Sequence, residues 1–230
     1  MKKVVLLSGG IDSTTCLAHV LNTTNTAPED VLALNIYYGQ KHSREIVSAR
    51  DVAAYYGVKI MEIDLARIFS LSDCPLLYHS DKEIDHSSYA EQVQETGGKK
   101  PVSTYVPFRN GLMLSAAASI AVSVGASEIY YGAHADDAAG CAYPDCSVQF
   151  VEAINAAIYE GTGGQVNVIA PFVSVNKAAV VKKGLELGAP YHLTWSCYEG
   201  GEKACGRCDS CQLRLRGFEE AGYKDEIEYE

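Results

Sequence analysis

Residues 4–21 read VVLLSGGIDSTTCLAHVL. The first four are a short apolar run, the pattern of a strand buried on both faces of a parallel sheet. Ser8-Gly9-Gly10-Ile11-Asp12-Ser13 then makes a turn, and residues 13–21 carry Leu17, Val20 and Leu21 on one helical face. Two glycines let a backbone turn sharply and approach an anion closely. A helix start adds unpaired N–H groups and the positive end of a dipole. Ser8 and Ser13 supply hydroxyls, and Asp12 can accept loop N–H bonds or help place Mg²⁺. A plain turn capped by Asp12 or Ser13 would use some of the same letters. The complete Ser-Gly-Gly-x-Asp-Ser string between strand and helix favours a phosphate loop. It is not a Walker A loop, because the Gly-Lys-Ser/Thr ending is absent. The third glycine of a dinucleotide fingerprint is absent too.

The rhythm continues outward. Residues 31–37 are a second apolar strand, 44–56 a helix closed by Gly57, and 58–63 a third strand. This βαβαβ order predicts a parallel sheet with right-handed crossovers. Residues 66–104 interrupt it with polar sequence, Pro75, Gly97, Gly98 and Pro101. They read as an excursion over the active-site side and a candidate lid. Regularity returns with a helix at 110–124, a strand at 128–132, a helix at 149–159, a strand at 166–169 and a helix at 176–187. The expected class is α/β, doubly wound, with a mostly parallel sheet over residues 1–190. A cysteine-bearing segment, 191–230, is expected to pack on the same domain. Cys16 and the tyrosine-rich helices read as core.

The 230 residues suffice for one sizeable α/β domain. Hydrophobic residues at 47% and charged residues at 21% are ordinary for a globular protein. No apolar run reaches the roughly 18 residues that span a bilayer. The opening Met1-Lys2-Lys3 and its short apolar run read as a first strand rather than a signal peptide. A net charge of −10 with no dense Lys/Arg run argues against a nucleic-acid partner.

Four of the eight cysteines fall between 197 and 211, as Cys197-x₇-Cys205-x₂-Cys208-x₂-Cys211. Four thiolates at such spacing suit one closed, structural Zn²⁺ site. Two disulfides, free thiols or an iron–sulfur cluster are the rival readings. The clustering suggests a reducing, cytoplasmic setting.

The loop at residues 8–13 resembles the PP-loop of the N-type ATP pyrophosphatases, which have an adenine nucleotide alpha hydrolase-like fold. Further stretches narrow the resemblance: Tyr37-Tyr38-Gly39-Gln40-Lys41-His42, Val106-Pro107-Phe108-Arg109-Asn110, Tyr143-Pro144-Asp145-Cys146, Thr194-Trp195-Ser196-Cys197, and Cys205-Gly206-x-Cys208-x-x-Cys211. Together they are similar to the 7-cyano-7-deazaguanine synthase family QueC, across most of the chain. The resemblance implies an enzyme of queuosine biosynthesis that uses ATP and ammonia to turn 7-carboxy-7-deazaguanine into its nitrile. Adenylated carboxylate and amide intermediates are implied, with Mg²⁺ as a further cofactor. A homodimer is compatible with the resemblance.

Leu7, Ser8, Gly9, Gly10, Ile11, Asp12, Ser13, Thr14 and His42 are then expected at ATP, where His42 could equally cap the following helix. Lys177, at a helix start, is expected to aim at the phosphates, against the alternative of a solvated lysine. Arg109 could hold phosphate or the substrate carboxylate, or make a helix-start salt bridge. Lys177, Arg109 and Asp12 form the expected catalytic set. Phe108, Arg109, Asn110, Tyr143, Asp145 and Cys146 are the expected substrate contacts, with Asp145 reading the base edge and Phe108 or Tyr143 stacking on it. Cys146 reads as a small pocket-lining residue. A Pro-Asp turn is the plain alternative for that stretch. Rival classes are a tRNA-modifying PP-loop enzyme and a zinc-binding regulatory protein; the acidic charge opposes both, and the intact loop opposes the second.

Overall fold

The computed structural model describes residues 2–95 and 97–230. Five strands, β1 (Lys2–Leu6), β2 (Val31–Tyr37), β3 (Lys59–Asp64), β4 (Ala126–Tyr130) and β5 (Asn167–Ile169), form one parallel sheet in the order β3-β2-β1-β4-β5. Among the described residues, eight α-helices accompany them: α1 (Ile11–Thr23), α2 (Arg44–Tyr56), α3 (Tyr89–Glu95), α4 (Arg109–Val124), α5 (Ala135–Ala138), α6 (Val148–Gly161), α7 (Lys177–Glu186) and α8 (Asp209–Glu220). β1 is central. The chain leaves it towards β2 and β3 on one side, and towards β4 and β5 on the other. The order therefore reverses at the carboxyl end of β1, where open α/β sheets hold ligands.

Alternation along the strands feeds two cores. Val5, Leu7, Val31 and Ala33 meet Cys16 and Leu17 of α1, Ala49 and Val52 of α2, and Val180 and Val181 of α7. Val4, Leu34, Ile36 and Ile129 meet Leu114, Ala117 and Ala121 of α4 and Ile158 of α6. Strands buried on both faces explain why residues 4–7 and 31–37 are continuous apolar runs. β3 lies at the sheet edge and is mostly exposed.

Several elements differ from the sequence reading. α1 starts two residues early, at Ile11, because the turn is complete by Gly10. β4 ends at Tyr130; Tyr131 N–H still donates to the Ile169 carbonyl at 3.1 Å, and residues 131–133 line a cavity. Cys16 is fully buried, but Tyr55 of α2 and Tyr159 of α6 are exposed. These helices each cover one sheet face and turn their outer faces to solvent.

Residues 66–104 contain α3 and lie against the exit of β2. Lys41 N–H donates to the Leu76 carbonyl, and Tyr78 N–H to that of Gly39. Phe69, Cys74, Leu76 and Leu77 bury themselves with Tyr38 and Val106 in a small core of their own. Val102 joins the α4 core instead, and Ile68 and Leu71 are exposed, so the apolar residues of this stretch follow no single period.

α8 starts just after Cys208, carries Cys211 in its first turn and is absent from the sequence reading. Its polar composition and Gly217 hide its period. Phe218 joins the core of α1, α2 and α7. Arg214 is 1% exposed and grips Asp225 with Nε–Oδ2 at 2.5 Å and Nη2–Oδ1 at 2.8 Å. It also donates to Thr194 Oγ1 at 2.9 Å. The last residues close over the cysteines, with Ala204 N–H donating to the Glu228 carbonyl and Glu230 N–H to that of Ala204. Among the described residues, no helix is long and apolar enough to cross a membrane.

Candidate active site

A cavity of about 230 Å³ opens at the carboxyl ends of β1, β2 and β4. The turn after β1 forms one wall. Gly9 has φ +92°, and a Cβ there would sit 2.3 Å from the Glu45 carbonyl oxygen of α2. Only glycine allows this contact. The Ser8 and Ser13 hydroxyls are 3.0 Å apart, Ser13 Oγ donates to the Gly10 carbonyl at 3.1 Å, and Trp195 N–H donates to the Gly9 carbonyl at 3.0 Å. Asn35 Nδ2 donates to the Leu7 carbonyl at 2.7 Å, fixing the loop entry. No side chain caps α1 at Gly10, so its first N–H groups stay available to an anion.

Lys177 opens α7, capped by Asn176, and is 7% exposed. Its Nζ lies 2.6 Å from each Asp12 carboxylate oxygen. Gly217 of α8 makes room for it, since a Cβ there would lie 2.5 Å from Lys177 Cγ. His134, fully buried after β4, has Nε2 3.6 Å from Asp12 Oδ2 and 3.3 Å from Asp137 Oδ2. Burial would raise the Asp12 carboxyl, but Lys177 and then His134 outweigh it and hold it well below the usual carboxylate range. Burial pushes Asp137 up, with His134 and Lys177 opposing. His134 is raised, because Asp137 and Asp12 outweigh burial.

Arg109 and Asn110 from the start of α4 also line the cavity, with Tyr38, Glu45, Tyr143 and Cys146. The Arg109 guanidinium lies over the Tyr38 ring at 4.7 Å. Tyr143 and Thr104 hydroxyls are 2.6 Å apart. Burial raises the Cys146 thiol well above its ordinary value, so it stays an uncharged wall residue.

Leu7, Ser8, Gly10, Asp12, Ser13, Lys177, Arg109, Asn110, Tyr143 and Cys146 therefore share the cavity. Gly9, Ile11 and Thr14 lie behind it as the loop's support. Three further residues named from the sequence do not line this cavity. His42 is not at this cavity; its ring packs against Gly200 and Cys197 on the cysteine side. Phe108 is 56% exposed, with φ +54°, and meets Phe150 edge-on at 6.0 Å, away from the cavity. Asp145 is 3% exposed, and its Oδ2 accepts the Asn110 N–H at 2.8 Å; it positions the start of α4. Sequence reading missed His134, Asp137 and Glu45. The first two sit in the His-Ala-Asp-Asp stretch directly after a strand, where ligand residues concentrate.

Below this site, Cys197, Cys205, Cys208 and Cys211 bring their sulfurs within 4.8 Å of one another. All four are buried free thiols. Cys205 Sγ accepts N–H bonds from Cys208 at 3.3 Å and Arg207 at 3.5 Å. Tetrahedral Zn–S bonds of about 2.3 Å place sulfurs just under 4 Å apart, so one ion fits with slight contraction. A cluster with several irons between the sulfurs would need them farther apart. Arg44 joins this segment to α2, over the Trp195 ring at 3.9 Å and donating to the Gly201 and Glu202 carbonyls at 2.9 Å.

The family model described as queuosine biosynthesis protein QueC matches residues 2–222. The 7-cyano-7-deazaguanine synthase of Oceanobacillus iheyensis is 44% identical over 234 residues, covering 99% of this chain and 98% of its own. That of Thermoplasma acidophilum is 45% identical over 242 residues, covering 100% of this chain and 92% of its own. Among solved structures, the U34-tRNA thiolase NcsA of Methanococcus maripaludis matches with a TM-score of 0.50 at 15% identity, over 85% of this chain and 59% of that one. The last similarity concerns the fold alone.

Proposed function

This chain belongs to the QueC family of queuosine biosynthesis proteins, and from that premise we propose that it is an ATP-dependent, nitrile-forming ligase acting on 7-carboxy-7-deazaguanine and ammonia. The observation that carries the reading is the placement of Lys177 on Asp12 at the phosphate loop, with Arg109 lining the same cavity.

The steps follow from the wall chemistry. A carboxylate oxygen of the substrate attacks the α-phosphorus of ATP, and pyrophosphate leaves. This needs alignment and charge neutralisation more than a protein nucleophile. The N–H groups at the start of α1, Ser8, Ser13 and Lys177 hold the departing diphosphate. Arg109 orients the carboxylate through its planar fork. Ammonia then attacks the activated carbonyl carbon, AMP leaves, and the nitrogen gives up a proton to leave an amide. The amide oxygen attacks the α-phosphorus of a second ATP, pyrophosphate leaves and the nitrogen gives up one of its two protons; loss of AMP with the remaining N–H proton then forms the C≡N bond. Asp12 and Asp137 would hold Mg²⁺, which supplies charge neutralisation for the phosphates. The four cysteines would hold one structural Zn²⁺, stapling residues 197–211 beneath Trp195 and Ser196 at the cavity wall. Asn110, Tyr143 and Cys146 are the proposed base-side contacts.

The direct test incubates the protein with ATP, ammonium and 7-carboxy-7-deazaguanine, then identifies product and spent nucleotide by mass spectrometry. Nitrile with AMP and pyrophosphate is expected. Release that depends on tRNA instead, or ADP with phosphate as the spent nucleotide, would defeat it.

A further inference from the structure

Three carboxylates line the cavity: Asp12, Asp137 and Glu45. Lys177 occupies Asp12, and His134 stands beside Asp137. The side chain of Glu45, in the first turn of α2, has neither a hydrogen bond nor an ion pair among the described residues. It shares the cavity with Arg109, whose charge acts on it. Its own carbonyl is the atom against which Gly9 packs. The phosphate loop and the Glu45 backbone are thus in tight contact, which sets the Glu45 side chain beside the phosphate site. An unpaired carboxylate facing a ligand cavity leaves its structural value unexplained.

We propose that Glu45 is a catalytic general base that removes the nitrogen-bound protons in both halves of the reaction. The inference rests on the nitrile-forming reading above. That reaction requires proton removal from nitrogen repeatedly. Ammonium must shed a proton before it can attack, and the nitrogen sheds another as AMP departs to leave the amide. The amide then loses two more as its oxygen takes AMP and the nitrile forms. Each transfer makes neutral Glu45 from its carboxylate, and water at the open mouth of the cavity takes the proton onward. No oxidant or reductant is involved. Asp12 is unsuited, being held ionised far below neutrality by Lys177 despite its burial. Burial lifts Glu45 to about 7, with Arg109 opposing and the Cys197 sulfur adding to the rise, and a base works best near the operating pH.

The experiment compares wild type with Glu45→Gln and Glu45→Asp as zinc-loaded protein. It measures carboxylate-dependent exchange of labelled pyrophosphate into ATP, nitrile formation with ammonium, and hydroxamate formation with hydroxylamine, which is uncharged at neutral pH. Glu45→Gln should keep the exchange and lose nitrile formation by roughly 10²–10³-fold. Hydroxamate formation should fall far less, and Glu45→Asp should recover part of the nitrile rate. The wild-type rate should drop below about pH 7 relative to Glu45→Gln, in which that limb is missing; free ammonia varies identically in both proteins. Equal loss of exchange and nitrile in Glu45→Gln would make Glu45 a binding residue and overturn the proposal. An unchanged nitrile rate would overturn it as well. Absence of exchange in wild type would instead remove the adenylation reading itself, and the proposal with it.

Discussion

Replacing Gly9 with alanine probes the phosphate loop where it is tightest. The added Cβ would lie 2.3 Å from the Glu45 carbonyl oxygen and 2.7 Å from the Ala49 nitrogen, both backbone atoms of α2. Ordinary carbon contacts lie near 3.5–4.0 Å, so loop and helix must part by about 1 Å, and no side-chain rotamer relieves them. The φ of +92° adds roughly 1–2 kcal/mol for a residue with a side chain. Forcing the backbones apart adds roughly 1–3 kcal/mol. The total, about 2–5 kcal/mol, is a large part of the roughly 5–15 kcal/mol that holds a domain folded. Gly10→Ala is the matched control. Its φ is −82° and its nearest contact is Ser8 Oγ at 3.5 Å, so it should cost about 1 kcal/mol or less, from the N-cap preference. Urea unfolding of both variants measures the difference. With slopes of about 1–3 kcal/mol per molar, the Gly9→Ala midpoint should fall on the order of 1 M below that of Gly10→Ala. Pyrophosphate release by folded Gly9→Ala should drop about 10²-fold, the usual effect of a 1 Å misplacement. Equal midpoints for the two variants would refute the claim that the loop is pinned on α2.

Asp225→Ala should cost about 3–5 kcal/mol, because it strands the buried Arg214 guanidinium, and pairing it with Arg214→Met should recover much of that in a double-mutant cycle; denaturant melts read both. Cys208→Ser should lower folding yield and metal content together, since closing the four-sulfur site is coupled to folding; a metal-free variant as stable as wild type would count against this. Lys177→Met should abolish pyrophosphate release while metal content holds. The Asp12–Lys177 pair lowers the Asp12 pKa, so its stabilisation is present above an unfolded carboxylate value of about 3.9 and is lost as pH falls through the folded value. The stability gap between wild type and Lys177→Met should therefore be wider at pH 6 than in strong acid, as measured by urea melts at each pH.

Local sequence determined much of this protein. The apolar runs at 4–7 and 31–37 fixed parallel strands, because burial on both faces leaves no polar alternation to read. Gly57 closes α2 in the left-handed conformation that ended the predicted helix. The Ser-Gly-Gly-x-Asp-Ser string and the cysteine spacing mark their sites because all their parts lie within one short stretch of chain. Tertiary structure decided what depends on distant partners. Nothing near Glu45 in sequence shows that Gly9 and Arg109 converge on it. Nothing near Gly217 shows that it clears a path for Lys177. The Tyr-Pro-Asp-Cys stretch did not reveal that the Asn110 N–H would claim Asp145, nor did Phe108 reveal that its ring would turn to Phe150. A side chain's chemistry is written at its own position, but its direction is set by elements that the chain reaches tens of residues later.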